Sequence, residues 1–148
     1  GLLDGATERA GTMETAGYDG LWTAETSHDP FFPLLLAAQG TERVELGTAI
    51  AVAFARSPMN LATIGYDLQS YSSGRFILGL GSQIKPHITR RFSMPWSSPA
   101  ARMREYVLAM RAIWEAWNTG GSFIKAGGLK KCMPATWSGS VLSRPIAP

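Results

Sequence analysis

Arg75-Phe76-Ile77-Leu78-Gly79-Leu80-Gly81-Ser82-Gln83 is a continuous apolar run with aromatic and β-branched members that stops abruptly in small residues. A strand covered on both faces reads this way, and in an α/β protein the small residues at its end let a ligand approach the backbone. Two earlier segments repeat the design. Gly20-Leu21-Trp22-Thr23-Ala24 runs into Glu25-Thr26-Ser27-His28-Asp29, and Val44-Glu45-Leu46-Gly47-Thr48-Ala49-Ile50 runs into Ala51-Val52-Ala53-Phe54-Ala55-Arg56. Strands are therefore expected over residues 20–24, 44–50 and 76–80, each delivering a polar or small-residue loop to a common rim.

The segments between them carry helical punctuation. Ser57-Pro58 is an N-cap followed by proline at the first helical position, Leu61, Ile64, Leu68 and Tyr71 recur at helical spacing, and Gly74 sits where a left-handed cap belongs. Ser98-Pro99 opens a second helix with an apolar stripe of Met103, Val107, Met110, Trp114 and Trp117. Shorter helices are read over residues 6–16 and 32–39, stopped by Gly17 and Gly40. This alternation argues for parallel strands joined by right-handed crossovers.

At 148 residues and 45% hydrophobic content the chain can bury a sizeable core. Its pI near 9.3 does not point to nucleic acid. Residues 1–118 hold ten Lys and Arg against eleven Asp and Glu, a net charge of −1, whereas Lys125, Lys130, Lys131 and Arg144 follow with no acid. The division expected is a folded domain over 1–118 and an irregular basic tail, rich in Gly, Ser and Pro, over 119–148. The single cysteine, Cys132, lies in that tail, so no disulfide framework is expected. No stretch approaches the roughly 18 apolar residues of a membrane span and no signal design opens the chain, which leads to an expected cytoplasmic protein with no membrane partner.

Taken in order, Ala16-Gly17-Tyr18-Asp19-Gly20-Leu21-Trp22 with Glu25, Thr41-Glu42-Arg43-Val44-Glu45-Leu46-Gly47-Thr48, and Ser73-Gly74-Arg75-Phe76-Ile77-Leu78-Gly79-Leu80-Gly81 resemble the luciferase-like monooxygenase superfamily. Residues 25–31 and 47–56 are most similar to its branch that uses a reduced 8-hydroxy-5-deazaflavin coenzyme. The resemblance covers about residues 1–118 and implies part of a (β/α)8 TIM-type barrel, with about three parallel strands and flanking helices. It implies a reduced deazaflavin, or alternatively FMN, acting on a small organic substrate by hydride transfer or monooxygenation.

By the same resemblance, a non-prolyl cis peptide at Ala49-Ile50 forms a bulge against the central ring of the cofactor. Glu25 lies at the ring, and Thr26, Ala51, Gly81, Ser82 and Gln83 line the pocket with it. Two departures stand out: Thr26 occupies a position where many relatives have histidine, and Ile84 one where some deazaflavin enzymes have glutamate. Glu25, a carboxylate at a strand end, and His28 are the catalytic candidates, and His28 or His87 could serve in place of the proton donor that these departures remove.

Plainer readings accompany these. Gly79-x-Gly81 is not a dinucleotide fingerprint, because Ile84 replaces the third glycine and Pro86 interrupts the helix. His28 and His87 lack metal-ligand spacing, so no metal is expected. Arg90-Arg91 reads as a surface pair, and Trp22 as a residue within a buried strand. The alternative to an oxidoreductase is a catalytically silent remnant with exposed strand edges, for which self-association is expected.

Overall fold

The structure is a computed structural model and describes residues 3–119. The expected tail, with Cys132, lies outside these residues apart from Thr119, which ends the last helix. Helix α1 (Ala6–Thr15) leads to strand β1 (Gly20–Thr23), α2 (Phe31–Gln39) and β2 (Glu45–Thr48). After β2 come β3 (Ala51–Val52), a 3₁₀ turn over Ala53–Ala55, α3 (Pro58–Tyr71), β4 (Phe76–Ile77) and β5 (Leu80–Gly81). A π-helical turn over His87–Arg91 and the long α4 (Pro99–Thr119) complete the order.

Strands β1, β2 and β4 pair in parallel in consecutive spatial order, and β3 pairs in parallel with β5. The expected strand over 44–50 is therefore two strands, β2 and β3, and that over 76–80 is also two, β4 and β5. The register explains the breaks. Gly47 faces Ile77 and Ala51 faces Leu80, so the β2–β3 side spends one more residue between the two pairs than the β4–β5 side. That is a one-residue bulge, and within it the Ala49–Ile50 peptide is cis.

Only one face of this sheet is covered by the described residues. Leu21, Leu46 and Phe76 share a face in register, and Leu46 and Phe76 are buried with Leu34, Val44, Leu61 and Leu68 beneath the helices. On the opposite face Trp22, Gly47 and Ile77 are in register, and Trp22 is 53% and Ile77 39% exposed. The reading of these strands as covered twice, with Trp22 inside, is corrected: apolar residues occupy both faces, but the helices pack on one. Gly47 carries the indole, since a Cβ there would stand 2.0 Å from a Trp22 ring carbon.

The helix ends follow the sequence. Ser57 Oγ accepts the Asn60 N–H at 3.2 Å, with Pro58 at the first position. At the far end Ser73 and Gly74 both have positive φ, and the Gly74 N–H reaches the Gln69 carbonyl at 2.8 Å. The fully buried residues of α4 are Tyr106, Ala109, Met110 and Ile113; Met103, Trp114 and Trp117 of the expected stripe pack partly buried against the same core. Trp114 still packs, donating from Nε1 to the Ala62 carbonyl at 2.9 Å, and Trp117 meets Tyr66 edge-on at 5.3 Å.

Two charged side chains stitch the layers. Arg75 donates to the carbonyls of Ser72, Val44 and Thr41 and to Thr41 Oγ1, each at 2.9 Å. Glu14, at the end of α1, accepts the N–H groups of Glu42 at 3.0 Å, Val44 at 2.8 Å and Arg43 at 2.7 Å, just before β2. These three donors hold its carboxyl down from the usual 4.5 to about 2. A depressed pKa stabilises the fold fully above the ordinary value, and the contribution is lost as pH falls through the folded-state value. Glu14→Gln should therefore melt at a lower temperature than wild type at neutral pH, and the gap should close on acidification from 4.5 toward about 2. A gap that stays constant across that window in paired melts would refute the charge as its cause.

Candidate functional site

The site is built where the parallel strands end. The bulge between β2 and β3 is held on both flanks by side chains that complete the ladder the extra residue interrupts. On the β4–β5 side Thr48 Oγ1 accepts the Gly79 N–H at 2.9 Å and donates to the Gly79 carbonyl at 2.7 Å, while Ala51 N–H also reaches that carbonyl at 2.9 Å. A Cβ on Gly79 would stand 2.0 Å from the Thr48 carbonyl oxygen, so glycine is required for this approach.

On the β1 side the Ala49 N–H donates to the Thr23 carbonyl at 2.7 Å and the Glu25 N–H to the Ile50 carbonyl at 3.1 Å. The Glu25 carboxylate continues the sequence, accepting the Val52 N–H at 2.7 Å through Oε2. The same oxygen takes Arg56 Nη1 at 2.7 Å, and Arg56 Nη2 reaches Asp29 Oδ2 at 3.0 Å. Glu25 is 5% exposed and Arg56 19%. Burial pulls the Arg56 pKa down, and its bonds to Glu25 and then Asp29 outweigh that pull, so the value lies above the ordinary one and the guanidinium stays charged. Asp29 Oδ1 also accepts the Phe31 N–H at 2.8 Å, starting α2, and Arg56 lies 5.5 Å over the Phe31 ring.

The structure thus brings together Glu25, Ala49, Ile50, Ala51 and Gly81. Ala49 is exposed, Ile50 half-buried and Ala51 fully buried. Ile50 lies over Gly81, where a Cβ would stand 2.6 Å from its Cδ1. Ser82 and Gln83 continue from β5, with Ser82 Oγ near the Gln83 carbonyl at 3.2 Å and Gln83 at φ 57. Gln83 Oε1 lies 3.2 Å from His87 Nδ1.

Thr26 and His28 are exposed on the loop after β1. The Thr26 carbonyl accepts from Arg91, which also stacks 4.9 Å over Phe92, so one member of the Arg90-Arg91 pair ties two rim loops together. No bond joins His28 to Glu25 among those formed by the described residues. No cluster of three His, Cys, Asp or Glu suited to a metal occurs among the described residues, and no helix among them is long and apolar enough to cross a membrane.

Three contributors had no role assigned from sequence: Thr48, Asp29 and Arg56. The signal for the last two was the rim placement of opposite charges, Asp29 after β1 and Arg56 after β3, where the strands bring both loops together. Thr48 gave no signal of its own, because its role depends on the one-residue offset.

The chain is 66% identical over 115 residues to an uncharacterized protein of Mycobacterium tuberculosis, covering 78% of this chain and 34% of that protein. It is 35% identical over 108 residues to a protein of the same species provisionally named a coenzyme F420-dependent oxidoreductase, covering 72% of this chain and 31% of that one. Among solved structures, the monooxygenase RslO1 from Streptomyces bottropensis superposes with a TM-score of 0.68 at 28% identity, covering 76% of this chain and 36% of RslO1. The chain spans about a third of the length of the curated relatives it matches. The luciferase-like monooxygenase family model matches residues 2–144, extending past the expected coverage of about residues 1–118. With that match over nearly its whole length, and with the parallel-strand α/β architecture of RslO1, the chain belongs to the luciferase-like monooxygenase family.

Proposed function

We propose that these residues form the ring-facing part of an oxidoreductase site that takes a reduced 8-hydroxy-5-deazaflavin coenzyme and reduces a small organic substrate by hydride transfer. The observation that carries this reading is the bulge: exposed Ala49, half-buried Ile50 and side-chain-free Gly81 form an apolar step at the strand ends, held from both flanks by Thr48 and Glu25. A planar ring system fits a step of this kind, because small residues let it meet backbone directly. The relative provisionally named as F420-dependent supports the deazaflavin over FMN.

When bound, the coenzyme supplies the hydride. The chain's own part is positioning: Ala49 and Ile50 support one face of the ring with buried Ala51 behind them, the Gly81-Ser82-Gln83 segment borders it, and Thr26 and His28 stand on the exposed loop facing solvent and substrate. His28 is the proton donor proposed on that loop.

Titrating reduced deazaflavin and reduced FMN into the chain, followed by fluorescence, tests the proposal. Tighter binding of the deazaflavin by about tenfold or more is expected. Preference for FMN would move the chain to the flavin-using reading, and failure to bind either ring would leave the silent-remnant reading.

A further inference from the structure

We propose that Glu25, Arg56 and Asp29 act as a positioning clamp on the Ala51–Val52 backbone, so that Glu25 acts on a bound ring through that backbone and not by touching it. The part concerning a ring rests on the proposed function; the clamp itself does not.

The geometry favours the positioning role. A carboxylate that serves as a proton donor or ring partner needs an oxygen turned to the ligand; Glu25 spends Oε2 on both Val52 N–H and Arg56, and with the side chain 5% exposed only Oε1 is left for such a contact. Together with the bond from its own N–H to the Ile50 carbonyl, Glu25 grips the chain on both sides of Ala51. Arg56 is equally committed. Besides Glu25 and Asp29 it reaches the Val52 carbonyl at 3.3 Å, and its own carbonyl accepts the Tyr106 hydroxyl of α4 at 3.1 Å. Asp29 completes the arrangement by linking Arg56 to the first turn of α2.

One guanidinium thus joins the segment after β1, the start of α2 and the segment after the bulge. Such a partly buried, hydrogen-bonded set is costly to break from either end, because removing one member leaves a partly buried charge with fewer partners. Its members should therefore act as a unit, which a double-mutant cycle reads.

The test uses the whole chain as wild type, Glu25→Gln, Arg56→Met, the double variant and Arg56→Lys. Three quantities are read: hydrogen exchange at the Val52 amide, the melting midpoint, and affinity for reduced and oxidised deazaflavin well below that midpoint. Each of the first two variants is expected to speed Val52 exchange by about tenfold, with no further change in the double variant. Affinity for both ring forms should fall by the same factor, and Arg56→Lys should recover most of it. A purely structural role would lower the midpoint while the folded chain kept its affinity.

Loss confined to the reduced ring in Glu25→Gln, with Arg56→Met neutral, would show that Glu25 meets the ring itself and overturn the proposal. Unchanged Val52 exchange in both single variants would overturn it too. If wild type binds neither ring, the proposed function fails, and the clamp stands or falls on Val52 exchange and its non-additivity.

Discussion

Gly79→Ala should destabilise the chain by about 3 kcal/mol, within the range for an overpacked interior position that also loses hydrogen bonds. The added carbon would stand 2.0 Å from the Thr48 carbonyl oxygen, a backbone atom that cannot swing aside. Relief requires β4–β5 to part from the bulge, breaking the two bonds between Thr48 Oγ1 and Gly79 and the Ala51–Gly79 bond. Urea unfolding measures the loss. Gly65→Ala is the control, since its new carbon would meet only side-chain atoms of Leu78 and Trp114, at 3.3 Å and 3.4 Å, and alanine favours the helix. Equal stabilities for the two variants would contradict the steric account.

Arg75→Met should cost about 2–3 kcal/mol for a different reason. The methionine fills much of the space of the arginine stem but returns none of its donors. The Ser72, Val44 and Thr41 carbonyls would lose a partner at the junction of α2, α3 and β2, while Thr41 Oγ1 would keep its bond to the Ala37 carbonyl at 2.7 Å. Arg75→Lys should recover little, because a single ammonium cannot span acceptors arranged for a fork. A lysine variant as stable as wild type in the same urea series would show that charge, not the fork, matters here.

The parts of this fold that sequence made legible are those set by local chemistry. Ser57-Pro58 announced α3 and the glycine at 74 its end, because capping depends on a few adjacent residues. The alternation of apolar runs with helical stripes implied parallel strands in consecutive order. What escaped was long-range. The divisions of β2 from β3 and of β4 from β5 come from an offset between two strands some thirty residues apart, which no single segment records. The stripe of α4 was legible in Met103, Met110, Trp114 and Trp117, which all pack on the core, but not the deeper burial of Tyr106 and Ile113 beside it, which depends on contacts with distant segments. At the site, the importance of Glu25 was visible as a carboxylate at a strand end. Its partners were not, because Arg56 meets it only after two strands and the bulge have brought the loops together.

The indole of Trp22, lying over Gly47 with about half its surface in water, gives the chain a gauge of its own sheet. Indole emission moves to the blue when water leaves the ring. Subtracting the spectrum of Trp22→Phe from that of wild type isolates this one fluorophore. Its colour then reports directly whether anything lies over the uncovered face, whether a further stretch of polypeptide, a second copy or a flat aromatic molecule.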